Sequence, residues 1–215
     1  ILGHDLRTPL GAVLMASEFM LETGDLQEPH RMLATRMVRA AKRMNKMVGD
    51  LLDFTRSRLG SGVPIVRAEM DLARELSHTV DEVGAAHPEA VLRLETSGDL
   101  RGRWDCARIE QVMTNLIGNA VQHGLAKSAV EVSARGEPNE VVLQVHNSGP
   151  PIPPADIPGL FSPFKRLKPG QTATRHSSLG LGLYIAERIV TAHGGSIDVS
   201  SSHAAGTAFM VHLPR

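Results

Sequence analysis

Apolar residues in the first 58 positions recur at helical spacing, without the strict alternation of a strand. Leu6, Leu10, Val13, Ser17 and Leu21 fall on one stripe, and Gly24 is placed to stop that helix. Pro29 suits the first turn of a second helix, whose stripe runs Met37, Ala40, Met44, Met47, Val48, Leu51, Leu52 and Thr55. The link over residues 24–28 has the length of an antiparallel helix connection. Two helices alone leave roughly half of each apolar face wet, so the pattern predicts that two hairpins pair into a four-helix bundle. Packing of the stripes on the rest of the chain is the alternative.

Leu59-Gly60-Ser61-Gly62-Val63-Pro64 cannot continue a helix and reads as a hinge. It predicts a helical domain over 1–59, a linker over 60–66 and a second domain over 67–215. There, Asp71 can cap a helix to about residue 86, and 91–96 suits a short strand. Asp105 can cap a strong helix ending before Gly124. Residues 130–134 and 141–146 alternate like neighbouring strands. A helix over 183–192, stopped by His193-Gly194-Gly195, precedes strands over 196–201 and 208–213. This order predicts an α+β chain whose second domain is a layered α/β sandwich, with helices on one face of a mixed sheet.

Composition narrows the function. The 215 residues balance 23 Lys and Arg against 23 Asp and Glu, and 42% are hydrophobic, as in ordinary globular protein. Without a basic excess, no nucleic-acid partner is expected. The single cysteine, Cys106, precludes an intramolecular disulfide and fits a reducing, cytoplasmic compartment. No apolar run approaches the roughly 20 residues of a membrane span. The chain starts at Ile1 without an initiating Met, so a longer protein is expected, with a sensor domain or a membrane tether upstream.

The helix after Asp105 carries the first candidate chemistry. Ile109, Val112, Met113, Leu116, Ile117, Ala120 and Val121 form its core face, and Arg108, Gln111, Asn115, Asn119 and Gln122 the opposite stripe. Asparagine is a poor interior helix residue. Two amides one turn apart suit a hard cation such as Mg²⁺ together with phosphate oxygens; two solvated side chains are the alternative. Asn147-Ser148-Gly149-Pro150-Pro151-Ile152 turns sharply after a strand, setting an amide and free backbone at a pocket edge. Gly180-Leu181-Gly182-Leu183, preceded by Ser177-Ser178-Leu179, opens a helix whose N–H groups can face an anion, or is a simple glycine turn. The stretch between them holds Pro153, Pro154, Pro158, Pro163, Pro169 and Gly170, and is long enough to be a lid.

These segments, in this order, resemble the catalytic core of a sensor histidine kinase. His4-Asp5-Leu6-Arg7-Thr8-Pro9-Leu10 is similar to the phosphoacceptor H box, and Asn115-Leu116-Ile117-Gly118-Asn119-Ala120 to the N box. The stretch from Asn147 to Ile152 resembles the first glycine box, Leu160-Phe161-Ser162-Pro163-Phe164 the F box, and Gly180 to Leu183 the second glycine box. Together they span essentially the whole chain. The resemblance implies a dimeric phosphotransfer hairpin followed by an ATP-binding α/β sandwich of the GHKL (Bergerat) type. It implies autophosphorylation of His4 from Mg-ATP and transfer to an aspartate on a response-regulator receiver domain, with possible phosphatase action on that partner.

Roles follow for the matched positions. A neutral imidazole nitrogen makes His4 a nucleophile, Asp5 would be its general base, and Thr8, one turn on, could orient a water for dephosphorylation. Thr8 can equally be a residue tolerated before Pro9. Asn119 is the expected Mg²⁺ ligand, with Asn115, Gln122 and His123 near the nucleotide. Asn147, Gly149, Ile152, Phe161, Ser177, Ser178, Leu179, Gly180, Leu181, Gly182 and Leu183 would line it. Lys165 and Arg166 are candidates for the phosphates, or solvated lid charges. Phe161 and Phe164 are expected to anchor the lid by burial.

Three positions depart from the family pattern. Asn147 stands where an aspartate is usual; its carbonyl can still accept from the adenine amino group, with less charge assistance. Pro151 replaces a glycine and removes an N–H. Gln122 stands where a lysine is common, which passes phosphate contact to Lys165, Arg166 or Arg175. Two other functions compete. A GHKL-type ATPase needs a glutamate one turn before the Mg²⁺-binding asparagine, where this chain has Asn115. A non-catalytic docking module would be expected to lack His4 or Asn119.

Overall fold

The computed structural model describes residues 2–60, 62–165 and 179–215, with side chains from Leu6 onward. The His4 and Asp5 side chains, Arg166, Arg175, Ser177 and Ser178 therefore lie outside the described residues. The chain forms two compact units, Ile1–Leu59 and Gly60–Arg215.

The first unit is a hairpin of α1 (Leu2–Thr23) and α2 (Glu28–Arg58). The Gly24 N–H closes α1 on the Met20 carbonyl, and Pro29 sits in the first turn of α2. The α1 helix continues through Pro9, whose missing N–H leaves the Asp5 carbonyl without its usual partner. Ser17, Ala34 and Ala41 are buried between the helices, small side chains that let the backbones approach. The predicted stripes are thus divided. Leu10 and Leu21 are partly covered, while Leu6, Val13 and Met20 on α1 and Met37, Met44 and Leu51 on α2 stay exposed. Each exposed trio repeats every seven residues, so each is one stripe along its helix.

In the second unit, β2 (Val91–Ser97), β4 (Ala129–Gly136), β5 (Glu140–Asn147), β7 (Gly206–Pro214) and β6 (Ser196–Ser202) form a five-stranded sheet in that order. The β2–β4 pair is parallel and the other pairs antiparallel, as the expected mixed sheet requires. Alternation puts Val141, Leu143 and Val145 of β5 and Phe209, Val211 and Leu213 of β7 inward. They meet α4 (Cys106–His123) and α5 (Gly182–Ala192), while α3 (Leu72–Ala86) packs on β2 and α4. Asp71 and Asp105 cap α3 and α4 by accepting the Ala73 and Arg108 N–H groups. The core face of α4 is buried from Ile109 to Ala120, with Val121 only partly covered.

Two features escaped the sequence pattern. Residues Ala68–Asp71 (β1) and Arg101–Trp104 (β3) form a separate antiparallel pair. Four residues give too few alternations to register. Trp104 ends β3 fully buried, its indole N–H on the Pro214 carbonyl at 2.8 Å. The second is His193, read as a helix stop and in fact buried. Its Nε2 accepts the Asp105 N–H at 3.0 Å, and its Nδ1 donates to the Ile189 carbonyl at 2.8 Å. One acceptor and one donor satisfy the neutral ring, and burial lowers its pKa below the ordinary value.

Candidate nucleotide site

The C-terminal half of α4 is the floor of the site. Asn115 is not solvated: it is 7% exposed, and its Nδ2 donates to the Gly182 carbonyl at 3.2 Å. That bond holds the start of α5 against α4. A Cβ on Gly182 would lie 3.4 Å from the Asn115 amide, an ordinary contact, so the two helices are closely packed here. Leu181 is buried beside it, Leu179 and Leu183 half-buried. Among the described residues no side-chain cap closes the start of α5, where the first N–H groups of a helix can face an anion. Asn119, one turn from Asn115, is half-buried, and Gln122 is exposed. His123 ends α4 with part of its ring in solvent, while burial of the rest lowers its pKa.

The turn after β5 packs on the end of α4. The Leu125 N–H donates to the Ser148 carbonyl at 2.8 Å, and a Cβ on Gly149 would crowd the His123 carbonyl. Asn147 is buried where β5 ends, and its Nδ2 reaches the Ser148 carbonyl at 3.3 Å. Register across the sheet aligns Val130, Asn147, Thr207 and Ser201 on four adjacent strands. Behind that row, Val132, Val145, Phe209 and Val199 are apolar, as is the next one in. The sheet therefore presents an apolar wall with one polar rim. Thr207 and Ser201, which motif reading missed, are visible in retrospect: both occupy inward positions of their strands, where alternation calls for an apolar residue.

The connecting segment is partly described. A single 3-10 turn, Ile157–Gly159, leads to Leu160, which is buried. The expected anchors are corrected here: Phe161 is only half-buried and Phe164 is 53% exposed, so Leu160 is the buried apolar side chain of this box. Phe164 has a positive φ of 62°, and its N–H donates to the Gly180 carbonyl at 3.0 Å. Gly180 has φ +68°, and a Cβ there would sit 3.0 Å from the Lys165 carbonyl. The Lys165 ammonium pairs with Asp156 at 3.4 Å. Its Nζ also donates to the Asp156 carbonyl at 3.4 Å, and because both side chains are partly exposed the pair is a weak one. In the other unit, the α1 backbone sets His4 and Thr8 one turn apart, with Thr8 exposed.

A polar rim on an apolar wall, a helix start held by an asparagine and glycines at close approaches are features that a phosphate-ester nucleotide site would need. Comparison with known proteins agrees. Residues 104–215 match the family described as histidine kinase-, DNA gyrase B-, and HSP90-like ATPase, and residues 1–60 match the His Kinase A (phospho-acceptor) domain. The chain is 33% identical to a bacteriophytochrome of Pseudomonas aeruginosa, over all of this chain and 29% of that protein. It is 36% identical to the probable sensor histidine kinase TcrY of Mycobacterium tuberculosis, over 99% of this chain and 44% of that one. Among solved structures, full-length ShkA in complex with AMPPNP superposes with a TM-score of 0.74 at 26% identity, covering 99% of this chain and 44% of that one. The chain thus belongs to the histidine kinase family, as a phospho-acceptor hairpin joined to its ATPase-type domain. It spans less than half the length of these relatives. Among the described residues, no helix is long and apolar enough to cross a membrane.

Proposed function

We propose that this chain is the kinase core of a two-component sensor, which phosphorylates His4 from ATP and passes the group to an aspartate of a response regulator. The observation that carries the reading is the Asn115–Gly182 bond, which joins the asparagine helix and the second glycine segment into one floor. The AMPPNP bound by ShkA supports an adenine nucleotide as ligand. Triphosphate oxygens would meet the open N–H groups of α5, with Lys165 and Arg166 supplying positive charge. Lys165 reaches them by leaving Asp156.

Among the described residues, no three His, Cys, Asp or Glu side chains stand together as a metal site. A magnesium ion would fit here only with phosphate oxygens as its main ligands and the Asn119 carbonyl as protein donor. Bound so, it supplies neutralisation of the charge that develops between the β- and γ-phosphates. At His4, a ring nitrogen attacks the γ-phosphorus, an N–P bond forms and the bond to the β-phosphate oxygen breaks to release ADP. Asp5 holds the other ring nitrogen by accepting its hydrogen bond. Transfer onward breaks the N–P bond and forms an acyl phosphate on the regulator. Thr8 is suited to orient water for the reverse, dephosphorylating task. The exposed heptad stripes on α1 and α2 support a homodimer built through the hairpin. A sensor segment upstream of Ile1 would set the balance of these activities.

The test is incubation with γ-labelled ATP and Mg²⁺. The expected product is acid-labile, base-stable label on the parent, absent from His4→Gln and from Asn119→Ala. Label that survives His4→Gln would remove this reading.

A further inference from the structure

The polar rim of the sheet holds a residue that none of the motifs includes. Ser201 Oγ accepts the Ile152 N–H at 2.9 Å and lies 2.8 Å from Thr207 Oγ1. Ile152 closes the first glycine turn, where Pro151 has no N–H to give. Thr207 is buried and is the cross-strand partner of Asn147. Gly206, with φ +70°, makes this possible: a Cβ there would collide with the Asn147 carbonyl.

Between two hydroxyls either oxygen can donate, so the direction must be set by what else each one binds. Ser201 already accepts an N–H, which polarises its own O–H and makes it the better donor. It therefore donates to Thr207 Oγ1, and the Thr207 hydrogen is left to point elsewhere. Beside it, the Asn147 Nδ2 donates one of its two hydrogens to the Ser148 carbonyl, and Oδ1 is an acceptor that Asn147 can offer a ligand. The rim then presents an acceptor, Asn147 Oδ1, next to a donor, Thr207 O–H. A 6-aminopurine carries the complementary pair on one edge, an amino donor beside a ring-nitrogen acceptor. A 6-oxopurine carries the reverse.

We propose that Ser201 is a positioning residue for base selectivity: by holding the Thr207 hydroxyl as a donor, it makes the rim favour 6-aminopurine over 6-oxopurine nucleotides. The inference rests on the nucleotide reading above. Ser201 itself need not touch the base.

The test is calorimetric titration of the whole chain with ADP and with IDP, in the parent and in Ser201→Ala and Ser201→Thr. The parent is expected to prefer ADP. In Ser201→Ala the Thr207 hydroxyl can turn and accept, so the ADP to IDP preference should shrink by about fivefold, the scale of one hydrogen bond. Ser201→Thr keeps a hydroxyl and should keep the preference. A merely structural role would weaken both nucleotides equally. If Ser201→Ala does not fold, Ser201→Cys, close in size and a weak donor, carries the same expectation. An unchanged ratio in a parent that binds ADP overturns this inference alone, and a parent that binds neither nucleotide overturns the kinase reading with it.

Discussion

Asn115 and Gly182 are 67 positions apart in sequence and joined by a partly buried hydrogen bond, Nδ2 to carbonyl at 3.2 Å. A leucine at 115 would fit the helix but remove this cross-helix bond, leaving the Gly182 carbonyl with only its partner inside α5. Loss of that bond should cost about 1 kcal/mol, the net worth of one hydrogen bond. Asn115→Leu is thus expected to lower the urea midpoint of the second unit, read by fluorescence of Trp104, the only tryptophan. It should also weaken AMPPNP binding at least tenfold, because the start of α5 loses its support. An unchanged midpoint would show that the bond does not hold the helix.

Gly180 gives a second test of the same floor. Its φ of +68° is costly for any residue with a Cβ, and the Lys165 carbonyl stands in the way as well. Gly180→Ala should destabilise by about 1–2 kcal/mol. The Phe164 N–H bond to the Gly180 carbonyl should loosen with it, so hydrogen exchange at Phe164 is expected to quicken. Exchange at the parental rate would exclude the strain argument.

Much of this architecture was legible. Caps at Asp71 and Asp105 and the alternation over 141–146 carry strong local signals, and the elements form where those signals lie. The N-box and glycine segments could be found because asparagines and glycines are out of place in a helix and a core. What could not be read depends on the third dimension. Whether Asn115 faced water or protein was undecidable until α5 lay against it. Phe164 looked like an anchor by residue type, but it sits at a positive φ and is 53% exposed. His193 read only as part of a helix stop because its partner, the Asp105 N–H, is 88 positions away.

The hairpin surface makes a prediction about assembly. Val13 on α1 and Met44 on α2 each sit at the middle of an exposed stripe of period seven. Glutamates there would have to be buried in a four-helix bundle but not in a lone hairpin. The chain should sediment as a dimer, and Val13→Glu with Met44→Glu as a monomer. Trp104 lies in the other unit, and its unfolding midpoint should not change. A double variant that stays dimeric would place the interface elsewhere.

His193 makes stability depend on pH. Burial holds its pKa below the ordinary 6.5, so the folded unit binds fewer protons than the unfolded chain once the pH falls beneath that value. Stability is then complete above about pH 6.5 and declines as pH drops through the window down to the lowered folded value. His123, also lowered by burial, adds to the decline. Glu110 opposes it: its carboxyl, raised above 4.5 by burial, favours the folded state as pH falls. The His193 share is isolated by difference. Urea midpoints from Trp104 fluorescence should fall between pH 7.5 and 5.5 in the parent, and fall less steeply in His193→Gln, which has no proton to gain. The variant will be weaker at neutral pH, since glutamine cannot serve both the Asp105 N–H and the Ile189 carbonyl with the ring's geometry. What decides the matter is the slope: equal slopes in the two proteins would mean that the His193 ring is not held neutral by its surroundings.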